Sequence, residues 1–150
     1  TGGATNIIPN EVKLMGTFRT MNEKWRFSAH KKMKKIAESM AKSMGGKCEF
    51  NIVTGYPSLI NEPKLTDRVR SFAIDYIGKK NVVDLPIRMT AEDFAYYSQK
   101  MSGCFYRLGT GNKKKDITSP VHTNTFDIDE EALRLSIGMM SWLAICELSN

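Results

Sequence analysis

A chain of 150 residues with 41% hydrophobic content and a formal charge of +6 has the size of one ordinary globular domain, or of two small lobes that each bury little alone. No apolar run approaches the roughly 20 residues of a membrane span, and the opening Thr1-Gly2-Gly3-Ala4 has neither a basic nor an apolar signal region, so a soluble, cytoplasmic protein with no membrane partner is expected. Cys48, Cys104 and Cys146 are odd in number and scattered, which argues against a disulfide framework and for free, mostly buried thiols.

Glu11 to Thr20 alternates, with Val12, Leu14 and Phe18 on one face and Lys13, Met15, Thr17 and Arg19 on the other, as a half-buried strand does. Thr20-Met21-Asn22-Glu23 reads as a capping box. Ala29, Met33, Ile36, Met40 and Met44 then recur at helical spacing until Gly45-Gly46 stops the helix. Lys31, Lys32, Lys34 and Lys35 crowd this helix, and with the high pI they raise the question of nucleic acid. Glu38 sits four residues from both Lys34 and Lys42, and no stacking aromatics are interleaved with the lysines, so a solvated, ion-paired face is expected instead. His30 in this helix is expected to face solvent. A second strand follows at Lys47 to Thr54, with Cys48, Phe50 and Ile52 inward, ended by Gly55-Tyr56-Pro57.

Turn residues at Asn61-Glu62-Pro63 mark a lobe boundary, giving segments 1–62 and 63–150. Thr66 is the expected cap of the next helix, whose apolar stripe is Val69, Phe72, Ala73, Tyr76 and Ile77 and whose end is Gly78. A short apolar segment, Val82 to Ile87, leads to Thr90, the expected cap of a helix with Glu92 and Asp93 in its first turn. Cys104 to Leu108 reads as a strand running into Gly109-Thr110-Gly111 and a lysine-rich turn. Asp129 opens a last helix in which Leu133, Ile137, Met140, Leu143 and Ile145 leave little polar surface, the pattern of a helix buried in a larger body than this chain provides.

Between that turn and that helix lies Ser119-Pro120-Val121-His122-Thr123-Asn124-Thr125-Phe126-Asp127. A loop after a strand and before a helix is where α/β folds place ligands. Zinc sites need three or four converging ligands, and the chain has only His30 and His122, with no Cys-x-x-Cys or His-x-x-x-His; any partners of His122 lie elsewhere. The other candidates have plain alternatives. Glu92 in a first helical turn can simply complement the dipole. Arg19 can clamp a carboxylate bidentately or pair with an acidic neighbour. Asn6 is a turn residue or an amide exposed to a ligand.

Taken together, Gly2-Gly3-x-x-Asn6-x-Ile8-Pro9-x-x-Val12-x-Leu14-x-Gly16-Thr17-x-Arg19, Gly55-Tyr56-Pro57 with Asn61, Met89-x-Ala91-Glu92-Asp93-Phe94, and Pro120-x-His122 with Phe126-Asp127 resemble successive motifs of the metal-dependent amidohydrolases. That family includes hippurate hydrolase, N-acyl amino acid amidohydrolases, aminoacylase and the glutamate carboxypeptidases. The resemblance covers the family's C-terminal portion. It implies an α/β fold: residues 1–62 as the second half of a ferredoxin-like lid and dimerisation domain with one long helix, and 63–150 as the C-terminal helices and strands of the catalytic domain. His122 falls on the family's last metal ligand, Asn6 and Arg19 on lid positions that hold the substrate's carboxylate end, and Glu92 on the active-site wall. The family's first metal-binding segment, its Glu general base and its lid histidine match no segment of this chain, so no catalytic residue is expected in it. The implied cofactor is a pair of divalent ions, zinc or manganese, in the full-length protein, with none expected on this chain alone. The implied function is hydrolysis of N-acyl amino acids or small peptides by metal-activated water, in a homodimer joined through the lid. A non-catalytic dimerisation or interaction module is the alternative.

Overall fold

Asn22 starts the first helix. In the computed structural model, which describes residues 6–149, α1 runs Glu23–Ser43 and the Asn22 side chain accepts a hydrogen bond from Trp25 N at 2.9 Å, satisfying one of the amides that the first turn leaves open. Thr20, expected as the cap, instead accepts from Asn22 N at 3.2 Å; Asn22 stands closer to the orphan amides. Gly45, at φ 76, ends the helix in the left-handed conformation that glycine adopts without cost. The contact pattern divides the chain into two compact units, Thr1–Thr54 and Gly55–Asn150.

In the first unit Phe18 packs on Trp25, with ring centroids 5.4 Å apart, and edge-on to His30 at 6.0 Å. Phe27 closes on the same imidazole at 6.1 Å, so His30 is half-buried between aromatic rings rather than solvent-facing. Lys34 and Glu38 form the expected pair at 3.8 Å. Ala29 is buried, but Ile36, Met40 and Met44 of the same stripe are exposed.

The α/β architecture expected from the sequence is not formed. Among the described residues there is no β-ladder, only an isolated antiparallel bridge between Asn112 and Ile117. Glu11–Thr20, Lys47–Thr54 and Cys104–Leu108, each expected as a strand, lie outside helices without pairing, and no half of a ferredoxin-like sheet is present among the described residues. The reason is physical: alternation fixes which face a strand would bury, but a strand exists only when its N–H and C=O groups meet a neighbour's. Glu11–Thr20 and Lys47–Thr54 flank α1 and do not find each other.

The second unit is built on two helices. Pro63 occupies the first helical position of α2 (Pro63–Ile77), where its missing N–H costs nothing. Its cap is Glu62 rather than Thr66: the carboxylate accepts from Leu65 N at 2.6 Å and Lys64 N at 3.1 Å. Those two backbone donors hold the Glu62 carboxyl below its ordinary pKa. Thr66, one turn in, donates its hydroxyl to Glu62 O at 2.7 Å. No helix begins at Thr90; the single turn α3 (Ala95–Ser98) starts five residues later. α4 runs Glu131–Leu148, after Glu130 rather than Asp129.

The α2 stripe read from the sequence meets α4 at a small core of Ala73, Met139 and Leu143, rimmed by Val69, Phe72, Ile77, Val82, Tyr106 and Leu108. Trp142 fastens the pair, donating Nε1 to Phe72 O at 3.0 Å and stacking on Tyr76 at 6.3 Å. Arg68 grips Glu147 through Nε and Nη2, both at 2.9 Å. A side chain substitutes for the absent sheet at Asn61: its amide donates to Phe105 O at 2.9 Å and accepts from Phe105 N at 2.8 Å, while Glu62 N donates to Gly103 O at 2.9 Å. Both polar groups of Phe105 are thereby satisfied without a ladder.

Gly138 gives a test of the α2–α4 contact. A Cβ added there would stand against the Tyr76 hydroxyl, with Cζ 3.2 Å away, so the ring must tilt off Trp142. An exposed Gly→Ala change inside a helix normally stabilises by up to about 1 kcal/mol; at Gly138 the exposed Tyr76 ring is pushed aside at its far end, and the lost stack, about 0.5–1.5 kcal/mol, is expected to cancel that gain. Urea denaturation of Gly138→Ala, with and without Tyr76→Phe, checks this: the second change should recover the gain, and a more stable single variant would refute the contact.

Candidate functional site

The loop that carries His122 leaves Gly109-Thr110-Gly111 and returns at Asp129. At its base Asn112 and Ile117 exchange both backbone hydrogen bonds, at 2.8 and 2.9 Å, around a 3-10 turn at Lys113–Lys115. The Asn112 side chain holds this turn by accepting from Lys114 N at 3.0 Å, and Asp116 leaves it with φ 57. Asp129 then ties the loop's end to its beginning. Its N–H donates to Thr110 O at 2.8 Å, and its carboxylate accepts from Asn112 Nδ2 at 2.5 Å and Lys115 Nζ at 2.7 Å. The Lys115 and Asn112 donors hold the Asp129 carboxyl below its ordinary pKa, and Asp129 in turn raises that of Lys115.

At the tip, the Ser119 and Thr125 hydroxyls are 2.9 Å apart and Thr123 Oγ1 donates to Pro120 O at 2.8 Å. His122 lies between these bonds, exposed, with φ 66. Asp116 and His122 are the non-glycine residues described with positive φ. Histidine tolerates this region better than most residues, yet such a backbone costs of order 1–3 kcal/mol and persists only where its surroundings impose it. Strained residues of this kind concentrate at functional sites.

Glu92 stands three residues ahead of the single turn α3 and not in a first helical turn. Half-buried, it accepts from Arg107 Nη2 at 2.9 Å, and the same nitrogen reaches Thr90 Oγ1 at 3.3 Å. Arg107 was not singled out in the sequence, although one charged residue in the apolar run Cys104 to Leu108 is the signal that pointed to it. Asn6 and Arg19 belong to the first unit, Asn6 in a turn and Arg19 outside any helix or strand, both exposed. Gly2 and Gly3, which open the first motif, lie outside the described residues. Within the second unit the structure pairs Glu92 with Arg107.

No group of three or more His, Cys, Asp or Glu side chains converges among the described residues. One exposed imidazole is not a donor set for a divalent ion, which requires three or four; the described residues therefore do not fit a complete metal site. The three cysteines are free thiols. Burial pushes the Cys104 thiol above its ordinary pKa, the opposite of what a nucleophile needs. No helix among the described residues is long and apolar enough to cross a membrane.

Residues 2–144 match the family model described as Peptidase family M20/M25/M40. The chain is similar to thermostable carboxypeptidase 1 of Saccharolobus solfataricus, 33% identical over 97% of this chain and 36% of the relative. Thermostable carboxypeptidase 2 of the same organism is 34% identical over the same shares. An uncharacterized hydrolase of Staphylococcus aureus is 34% identical over 88% of this chain and 34% of the relative. No solved structure matches. The chain belongs to the M20 family of peptidases and amidohydrolases, as its motifs suggested, and it spans about a third of the length of the curated relatives it matches.

Proposed function

We propose that the chain is the C-terminal portion of a metal-dependent hydrolase that cleaves the amide bond of N-acyl amino acids or small peptides by metal-activated water, and that it is inactive alone. The observation that carries the reading is the family match over residues 2–144, within which His122 occupies the motif Pro120-x-His122 and a strained backbone. In this reading His122 is one ligand of a site whose other ligands come from the rest of the family's length, with zinc or manganese as the ion. Asn6 and Arg19 hold the substrate's carboxylate end and Glu92 stands on the active-site wall. Residues 1–62 form a lid through which a cytoplasmic homodimer assembles, and 63–150 close the catalytic domain.

The chain alone and a longer protein carrying it with the remaining family length are to be assayed against an N-acyl amino acid with zinc or manganese. Activity only in the longer protein supports the proposal; activity with stoichiometric metal in the isolated chain overturns the fragment reading. In the longer protein, Arg19→Lys is expected to raise KM for substrates with a free carboxylate about tenfold more than for their amides, since an ammonium cannot reproduce the planar two-donor fork. Equal losses for both classes would remove Arg19 from carboxylate binding.

A second reading, a non-catalytic interaction module, draws on the extent of exposed apolar surface on α4, where Ile137 is 70% exposed; large patches of this kind mark interaction surfaces. Light scattering on this chain tests the second reading: a concentration-independent monomer removes self-association from it.

A further inference from the structure

The bonds at the base of the His122 loop lie five or more residues from it along the chain, from Ile117 out to Thr110. The tip of its loop has few constraints of its own: one hydroxyl pair at 2.9 Å, Thr123 Oγ1 on Pro120 O at 2.8 Å and a long Phe126 N to Thr123 O bond at 3.3 Å. A local turn bond of this kind is compatible with positive φ at its third residue, but it does not fix where that turn stands in the loop. The base is tighter. Four interactions meet there: the Asn112–Ile117 pair, Asp129 N on Thr110 O, and the two side-chain donors on the Asp129 carboxylate. The Asp129 side chain is 13% exposed, so its charge is neutralised inside the loop rather than by bulk water.

We propose that Asp129 is a positioning residue for His122: its carboxylate, held between Asn112 Nδ2 and Lys115 Nζ, closes the loop that starts at Thr110 and so imposes the turn in which His122 stands. The loop then presents the imidazole from a fixed backbone instead of from a flexible connection, which is what a ligand needs if its partners come from another part of a fold. Why Asp129 precedes α4 without capping it follows as well: its two oxygens are committed to the loop, and its contact with Glu131 N is a long 3.4 Å. The purpose assigned to this clasp rests on the reading of His122 as a metal ligand; the clasp itself does not.

The test uses the 150-residue chain and needs no activity. Amide hydrogen exchange at Asn112, Ile117 and Asp129, and the intraresidue amide-to-α-proton Overhauser effect of His122, strong at positive φ, are to be recorded for the native chain and for Asp129→Ala, Lys115→Met and Lys115→Arg. In Asp129→Ala and Lys115→Met, exchange at Ile117 is expected to rise at least about tenfold as the loop opens locally. The His122 Overhauser effect should weaken towards that of an averaged residue, while amides of α2 and α4 keep their protection. Lys115→Arg, which retains a cationic donor, should restore both readings. If the His122 Overhauser effect keeps its native intensity in Asp129→Ala and Lys115→Met, the proposal fails even where the loop exchange rises, and it fails equally if the loop exchange stays within twofold of native. Should Asp129→Ala unfold the second unit, Lys115→Met, which leaves the start of α4 intact, decides alone by the same two readings. An inactive or metal-free result in the hydrolysis assay leaves these readings untouched, so failure of the functional reading and failure of the clasp are separable.

Discussion

His122→Ala, made in a longer protein that carries this chain with the remaining family length, is expected to lower amide hydrolysis by more than about 100-fold, since even outer-shell partners of a metal ligand typically cost 10–100-fold. The reasoning starts from the chain's own residues. His122 is one of two histidines; the other, His30, is held between Phe18 and Phe27 in the first unit. Only His122 is exposed and set in a turn whose backbone the fold has to impose. A residue kept in such a conformation for no purpose would be replaced at no loss by asparagine or glycine, which prefer it. His122→Asn therefore makes a sharper comparison than alanine alone: it suits the turn and removes the imidazole. If activity and bound metal fall together in both variants, the imidazole is the functional group. Full activity in either variant would sink the assignment of His122.

What the sequence made legible divides by the range of the interaction. α1 and α2 were readable because their signals lie within a few residues: Gly45 and Gly78 past the ends, and the stripe from Val69 to Ile77 that does reach the core. Caps were misplaced where two candidates compete over a few positions, as with Thr20 against Asn22 and Thr66 against Glu62, because geometry and not residue type decides which side chain meets the orphan amide. Strands were expected from alternation, which carries no information about the partner on which a strand depends. The loop around His122 was recognisable as a site-like segment, but its construction was not: the link between Asn112 and Asp129 spans 17 positions. Likewise Glu92 looked like a helix-dipole residue because its partner Arg107 lies 15 positions on. The family motifs carried the functional reading past this limit, since their order along the chain needs no knowledge of contacts.

The face of α4 that this chain itself uses can be decided by one pair of substitutions. Leu143→Ala is expected to destabilise the second unit by about 2–5 kcal/mol, the range for leucine truncation in a packed core, while Ile137→Ala changes stability by less than about 0.5 kcal/mol, as surface changes do. Leu143 is 5% and Met139 4% exposed, and with Ala73 they make up the buried cluster between α2 and α4. A core of three residues has little in reserve, and the Arg68–Glu147 fork and the Trp142 bond at its rim are partly exposed interactions that do not replace lost apolar burial. The loss is therefore comparable with the lower end of ordinary domain stability, roughly 5 kcal/mol. Near-ultraviolet dichroism in a Trp25→Phe background, where the remaining tryptophan is Trp142, stacked on Tyr76 across the helix pair, follows the separation of α2 from α4 during urea unfolding. Equal effects of the two substitutions would mean that α4 packs through another face than the one described. In the longer protein the comparison changes meaning: a large loss for Ile137→Ala there, with none in the isolated chain, would show that the exposed apolar side of α4 is covered by the rest of the catalytic domain, and would tie the composition of this helix directly to the family fold.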